Sequence, residues 1–311
     1  VTKRKTAGRL LQFIIVLFGI SFLTFCLIYL APGDPVKAMY AANGSVPSEE
    51  VLKAMREKMG LNDPFLMQYF NWLFNCLHGD FGTSYSLNKP VVTVLLQRLW
   101  PTLKLTLFSM ILMLAVSVPF GVISAVKRNK AADYIIRVFS FAGISLPGFW
   151  LGVMLIYIVA LKLKLLPVIS NDTGIKKLIL PAVTLAFSMA AKYTRQVRAA
   201  VLEELHKDYV VGARTRGIKE STVYWAHVFP NALLPLVTLA GLSLGSLLGG
   251  TAVVEVIFSY PGLGSLAVSA VAARDYPLIQ GYVLWTALIY MSVNLAIDLL
   301  YGILDPRTKE R

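Results

Sequence analysis

The residues of this 311-residue chain that could do bond-making chemistry are few and scattered. His78, His206 and His227 lie far apart, and neither H-E-x-x-H nor G-x-S-x-G occurs, so a metal-dependent or serine hydrolase has no support. Nor is there a G-x-x-x-x-G-K-[ST] loop, without which the chain cannot bind and hydrolyse ATP in the phosphate-loop manner. Cys26 and Cys76 fall at different expected depths and are assigned to packing rather than to a disulfide. What remains is conformational chemistry. Glu255, like Asp275, is expected to face some polar medium, and Asp298 is an acid within a span, one helical turn from Asn294 and able to pair with Arg137. Pro147 followed by Gly148 would break the hydrogen-bond ladder of a span. Gly241, Gly245 and Gly249 recur at every fourth position, a stripe that lets another helix approach closely. For each of these, a place on a translocation path or gate stands beside plain packing.

The longest polar passage in the second half, residues 195–235, is where several of these types converge. Val197, Val201, Leu205 and Tyr209 recur every four residues among Arg198, Glu203, His206 and Lys207, the period of an amphipathic helix. Gly217 interrupts that period. After it come Ile218, Val223, Trp225 and Val228, apolar positions among Lys219, Glu220 and Tyr224, with Ser221 a candidate cap for a second short helix. A helix, a glycine turn and a second helix, too polar for lipid and too apolar to float free, need a groove to lie in.

The elements that must position this passage are membrane spans. The chain is 56% hydrophobic and only 15% charged, with a mean hydropathy of +0.65, which places it among all-α polytopic membrane proteins. Its net charge of +13 follows from cytoplasmic Lys and Arg under the positive-inside rule, and no basic face interleaved with aromatics argues for nucleic acid. Six spans are expected: Leu10–Leu30, about Pro101–Val126 with a kink at Pro119, Ile135–Leu161, Leu178–Tyr193, Ala232–Gly250 and Leu278–Ile303. The divisions are residues 1–31 for the cytoplasmic N-terminus and first span, 32–98 for an external region with amphipathic helices, 99–303 for the five-span core, and 304–311 for a cytoplasmic tail. Within the core, 195–230 is a cytoplasmic loop and 251–277, broken by Pro261, Gly262 and Gly264, an external re-entrant segment. In the external region Ser48 and Asp63-Pro64 can start short helices that Gly60 and Gly79 end, suited to pack on the membrane surface or on the protein itself.

Gly217, followed by Val228, Phe229 and Pro230, resembles the cytoplasmic signature loop of permease subunits of binding-protein-dependent ABC importers. Of the Glu-Ala-Ala that opens the family pattern only Ala213 matches, Val211 and Gly212 occupying the other places. The longer strings DYVVGARTRGI, NALLPLVT, GLNDPFLMQYFNWLFNCLHGDFGTS, VVEVIFSYPGLG, RDYPLIQ and the closing LDPR are similar to the dipeptide, oligopeptide and nickel branch. That resemblance implies a non-catalytic permease in a prokaryotic cytoplasmic membrane, both termini inside. It also implies a second homologous permease, two ABC ATPase subunits that use ATP and Mg, and an extracytoplasmic substrate-binding protein, with no cofactor bound by this chain. ATPase coupling would fall on Glu203, Asp208, Tyr209, Ala213, Arg214, Gly217, His227, Pro230 and Asn231, and the cargo would be a peptide, nickel or a metal chelate. An ion-coupled secondary transporter is the alternative, disfavoured by the scarcity of charges within the spans.

Overall fold

The computed structural model describes residues 3–42, 44–167 and 174–304. The closing LDPR beyond Leu304, the tail, and part of the connection between the expected third and fourth spans lie outside those residues. The described chain is helical, with an isolated bridge between Thr83 and Pro90 and no strand. Its helices are α1 (Lys3–Leu30), α2 (Pro35–Ala42), α3 (Glu49–Lys58), α4 (Phe65–Leu77), α5 (Val91–Val126), α6 (Ala131–Ser145) and α7 (Gly148–Leu155), the last running on as a π-helix over Ile156–Lys162. They continue with α8 (Ile175–Leu205), α9 (Asp208–Thr215), α10 (Glu220–Thr222, then a π-helix Val223–Val228), α11 (Phe229–Ile257), α12 (Leu263–Ala272) and α13 (Tyr276–Leu304).

Among the described residues three stretches are long and apolar enough to cross a membrane: Leu11–Leu30, Val91–Val126 and Tyr276–Ile297. Two bent pairs raise the number to five, Ala131–Ser145 with Gly148–Lys162 at 97° and Glu220–Leu233 with Pro235–Gly245 at 47°. The expected fourth span does not qualify by length and composition, because α8 carries Lys176, Lys177, Lys192, Arg195 and Arg198 along its length. Two other boundaries differ from expectation. Helix α5 begins at Val91, because Val91, Val94 and Leu95 form a buried face that the neighbouring Gln97 and Arg98 disguise. Helix α11 runs through Gly250 to Ile257, so Glu255 stands on its last turn and the chain breaks only at 258–262.

Contacts divide the chain into two compact units, Val1–Thr102 with Pro261–Ser292 and Leu103–Tyr260 with Val293–Arg311. In the first, Val91, Val94 and Leu95 pack with Leu263, Leu266, Ala270 and Leu278. Gly281 permits this, since a Cβ there would meet Val91 at 2.5 Å. Asp275, fully buried between α12 and α13, accepts hydrogen bonds from the Ser84 hydroxyl at 2.6 Å and from the Ser86 backbone and hydroxyl at 2.9 and 2.7 Å, which pins the 82–90 turn. A buried carboxylate is tolerated when several donors face it.

In the second unit α8 is the spine. Its buried face, Ala186, Ala190, Tyr193, Val197 and Val201, repeats at the helical period and packs with Met113, Val122 and Ala125 of α5 and Leu236 and Ala240 of α11. Small residues set how near these helices come: a Cβ at Gly121 would lie 2.5 Å from Val197, and one at Gly143 would lie 2.8 Å from Ala191. Gly121→Val should therefore destabilise the protein by about 1–3 kcal/mol through overpacking. The thermal midpoint in detergent reads this, and Gly19→Ala, where nothing lies within 4 Å, should not lower it and, by the greater helix propensity of Ala, should raise it slightly.

Candidate functional site

The polar passage folds as three short pieces on the end of α8. Helix α8 stops at Leu205, not at Tyr209, because His206 and Lys207 turn the chain before α9. Val210 and Ala213 of α9, with Val223 and Val228 of the segment after α10, drop into the same core as Val197 and Val201. All six are buried, so the module has an apolar underside continuous with the spine. Gly217 makes the turn between α9 and α10 with φ +73°, a left-handed conformation that costs a residue with a Cβ about 1–2 kcal/mol. Backbone bonds from Gly217 N to Arg214 O (2.9 Å) and Ile218 N to Ala213 O (3.3 Å) close α9. Ser221 lies within α10, and Lys219 takes the cap position without a side-chain bond.

Polar contacts then lock the module's outer edge. Glu204, buried where its neighbour Glu203 is exposed, accepts from Tyr209 at 2.8 Å and from Lys207 at 2.5 Å. Burial, then the hydrogen bond to Glu204 and its negative charge, push the Tyr209 phenol up to about 12, so it stays a donor at neutral pH. The same hydroxyl reaches the His227 carbonyl at 3.4 Å, which also accepts from Asn231 Nδ2 at 2.7 Å. Arg214 grips Glu220 through both carboxylate oxygens at 2.9 and 3.2 Å, bridging the Gly217 turn.

Further up α8, Arg198 makes the contact that fixes the spine. Its Nε and Nη2 donate to the two oxygens of Asp133 at 2.8 and 2.9 Å. Asp133 is fully buried at the start of α6 and also accepts from the Ser124 hydroxyl at 2.6 Å and the Asn129 backbone at 3.0 Å. One carboxylate thus joins the end of α5, the 127–130 turn, α6 and α8.

Of the residues proposed for coupling, Glu203, Asp208, Tyr209, Arg214, Gly217, Pro230 and Asn231 are exposed, His227 is half-buried and Ala213 is buried. The structure adds Val211 and Trp225, more than half exposed on the same module. It adds also Glu204, Asp133 and Arg198, whose signal in the sequence is only an acid near a basic run. The other candidates stand apart. Pro147 caps α7 at the 97° bend. Gly241 packs within the chain, a Cβ there meeting Ile297 at 2.4 Å, and Gly245 is buried. Glu255, expected to face a polar medium, is instead fully buried, as is Asp275. Gly249 and Asp298 lie on α11 and α13, but the surroundings of both fall outside the described residues. Arg137, proposed as the partner of Asp298, is 3.5 Å from Asp133 and lies over the Tyr134 ring.

Residues 117–310 match the family described as the binding-protein-dependent transport system inner membrane component, and residues 4–106 match its N-terminal counterpart. The chain belongs to this family. It is a permease subunit of an ABC importer. The oligopeptide transport system permease protein AppB of Bacillus subtilis (strain 168) is 41% identical over 309 residues, covering 96% of this chain and 97% of the relative. The nickel import system permease protein NikB of Staphylococcus aureus (strain USA300) is 38% identical, over 97% of this chain and 90% of the relative. The glutathione transport system permease protein GsiC of Escherichia coli (strain K12) is 38% identical, over 96% of each. A chain of the MetNI methionine ABC transporter, solved in inward-facing conformations, superposes with a TM-score of 0.56 at 20% identity, over 68% of this permease and 96% of that chain, a likeness of fold.

The clamp in this permease makes a measurable prediction. Asp133→Asn should cost about 3 kcal/mol, since Arg198 is left without its charge partner in a largely buried place. Adding Arg198→Gln should cost much less than the sum of the single variants, a coupling that thermal unfolding of the four proteins measures.

Proposed function

We propose that this permease forms the translocation path of an ATP-driven importer in a prokaryotic cytoplasmic membrane, with both termini in the cytoplasm. Six spans are assigned: α1, α5, the bent α6–α7 pair, α8, α11 and α13, with α8 entering the membrane among its neighbours despite its charges. The working complex has a second homologous permease, two ATPase subunits that use ATP and Mg, and an external substrate-binding protein. Its cargo is a small peptide or nickel, as ion or chelate, the classes carried by similar permeases.

One observation carries the reading. The α9–Gly217–α10 module buries Val210, Ala213, Val223 and Val228 beneath it and presents Tyr209, Val211 and Trp225 outward, beside Asp208, Arg214 and Arg216. An exposed aromatic and aliphatic patch with a charged rim suits a protein cleft, here that of an ATPase subunit. A module seated on α8 by a buried face moves with α8 when pulled. ATP-driven closure of the ATPases therefore becomes displacement of a span, and the path opens to alternate sides. Pro147, Gly241, Gly245, Gly249, Glu255 and Asp298 remain candidates for the path or its gate.

Gly217 tests the coupling. With no neighbour within 4 Å, its substitution acts through backbone strain and the docking surface. Gly217→Asn, which tolerates a left-handed conformation, should keep most substrate-stimulated ATP hydrolysis, and Gly217→Leu should abolish it with the protein still inserted. Equal stimulation in both would refute docking at this turn. Uptake by the reconstituted complex, with labelled nickel and a labelled dipeptide in competition, assigns the cargo: nickel accumulation resistant to excess peptide makes it a metal importer, and the converse a peptide importer.

A further inference from the structure

Helix α4 has three faces, and among the described residues only two have partners. Phe65, Tyr69 and Trp72 meet α1, where Tyr69 stands edge-on to Phe18, Phe22 and Phe25 at 5.9, 5.2 and 5.5 Å, and its hydroxyl shares a 2.8 Å hydrogen bond with Ser21. Phe65 lies 4.8 Å from the Tyr29 ring. About 60–120° around the helix, Gln68, Asn71 and Asn75 line a cavity of about 620 Å³ that also takes in Asp34, Arg56 and Asp80. The remaining arc holds Leu66, Met67, Phe70, Phe74 and Leu77, each between 54 and 78% exposed. No charged residue occurs anywhere in α4.

The depth of the crossing decides what covers that arc. The apolar window of α1 is Leu11–Leu30, and α4 crosses it at Phe22 to Phe25. At 1.5 Å per residue this lies about 8–12 Å inside the Leu30 end of a window as long as a bilayer core is thick. Along α1 itself, Leu23, Leu27 and Leu30 are exposed by 63–76%. The bare arc of α4 is therefore at the same level as a surface that α1 turns to lipid, while its amide-bearing face looks into a polar cavity.

We propose that α4 is a membrane-embedded half-helix whose Leu66–Leu77 arc is covered by phospholipid acyl chains in the leaflet at the Leu30 end of α1. The segment after the first span then does more than join α1 to α5. It inserts a second apolar surface beside α1 and seals the lipid side of the cavity, leaving its polar side to water. A soluble partner would need a polar rim around such a patch, and within α4 the rim residues face the cavity instead. The inference rests on α1 crossing the membrane and is indifferent to cargo and to ATPase coupling.

The test uses the assembled transporter, with Cys26 and Cys76 replaced by Ser, in vesicles of phosphatidylglycerol and phosphatidylethanolamine. Single spin labels at Phe70→Cys, Phe74→Cys, Asn75→Cys and, on α1, Leu27→Cys are probed for collision with oxygen, which partitions into lipid, and with a water-soluble chromium chelate. The expected result is an oxygen-to-chromium ratio several-fold higher at 70, 74 and 27 than at 75. Should one variant fail to assemble, Leu66→Cys and Leu77→Cys report on the same arc. Chromium access at 70 and 74 with a lipid-like 27 would overturn the proposal for α4 while α1 remains a span. Access at all three would overturn both, and chromium access suppressed by the substrate-binding protein would make the arc a docking face instead.

Discussion

The carboxylate of Asp133 is the point on which the α9–α10 end of the permease's second unit depends. It is out of contact with solvent, and a bare charge there would be costly, yet four donors surround it: two guanidinium N–H groups of Arg198, the Ser124 hydroxyl and the Asn129 backbone. These donors come from the end of α5, the following turn and α8. Apolar packing alone would let α8 slide or rotate against α5 and α6 with little penalty, because Ala and Val faces are similar from one turn to the next. A bidentate charged contact has a single good geometry, so it fixes register as well as proximity. The spine ends seven residues later at Leu205, and the position of everything seated on that end follows from it.

Close approach is the complementary constraint. Gly121 against Val197, Gly143 against Ala191 and Gly241 against Ile297 are places where a methyl group would collide. In a protein whose helices gain little from leaving lipid, tight contact between backbones supplies the dispersion that holds them. The same logic explains why hydroxyls such as Thr184 and Thr194 are tolerated inside α8: each turns back to the carbonyl four residues earlier and leaves no donor unmet.

Much of this was legible in the residues and some was not. The four-residue recurrence of Val197 and Val201, the break at Gly217 and the short helices ended by Gly60 and Gly79 are local signals, and each matches an element. The failures are tertiary. Asp133 sits in a stretch, KRNKAAD, that reads as a solvated basic turn, and its partner lies 65 residues away, a separation that a single sequence does not connect. Glu203 is the acid to which the resemblance points and Glu204 is the one that holds the module, because which of two adjacent acids faces inward depends on the rotation of α8, not on residue type. The start of α5 is hidden for a different reason: the apolar run at its beginning is cut off from the expected span by Gln97, Arg98 and Pro101, and only the tertiary packing of Val91, Val94 and Leu95 shows that one helix runs through them. Gly241 is a case the stripe alone leaves open between packing and path: the close neighbour a Cβ would meet there is Ile297 of the same chain.

The central claim is that the coupling module and the spine move as one body. Spin labels at Arg216→Cys on the module and Lys130→Cys in the α5–α6 turn, both exposed, report the distance across the Asp133–Arg198 clamp in the assembled transporter. The measurement compares the nucleotide-free complex with one trapped in ATP, with Cys26 and Cys76 replaced by Ser. The account predicts one narrow distance distribution, the same in both states. A shift or a broadened distribution on ATP binding would mean that the module moves on its own hinge, and that α8 is not what carries ATPase closure into the membrane.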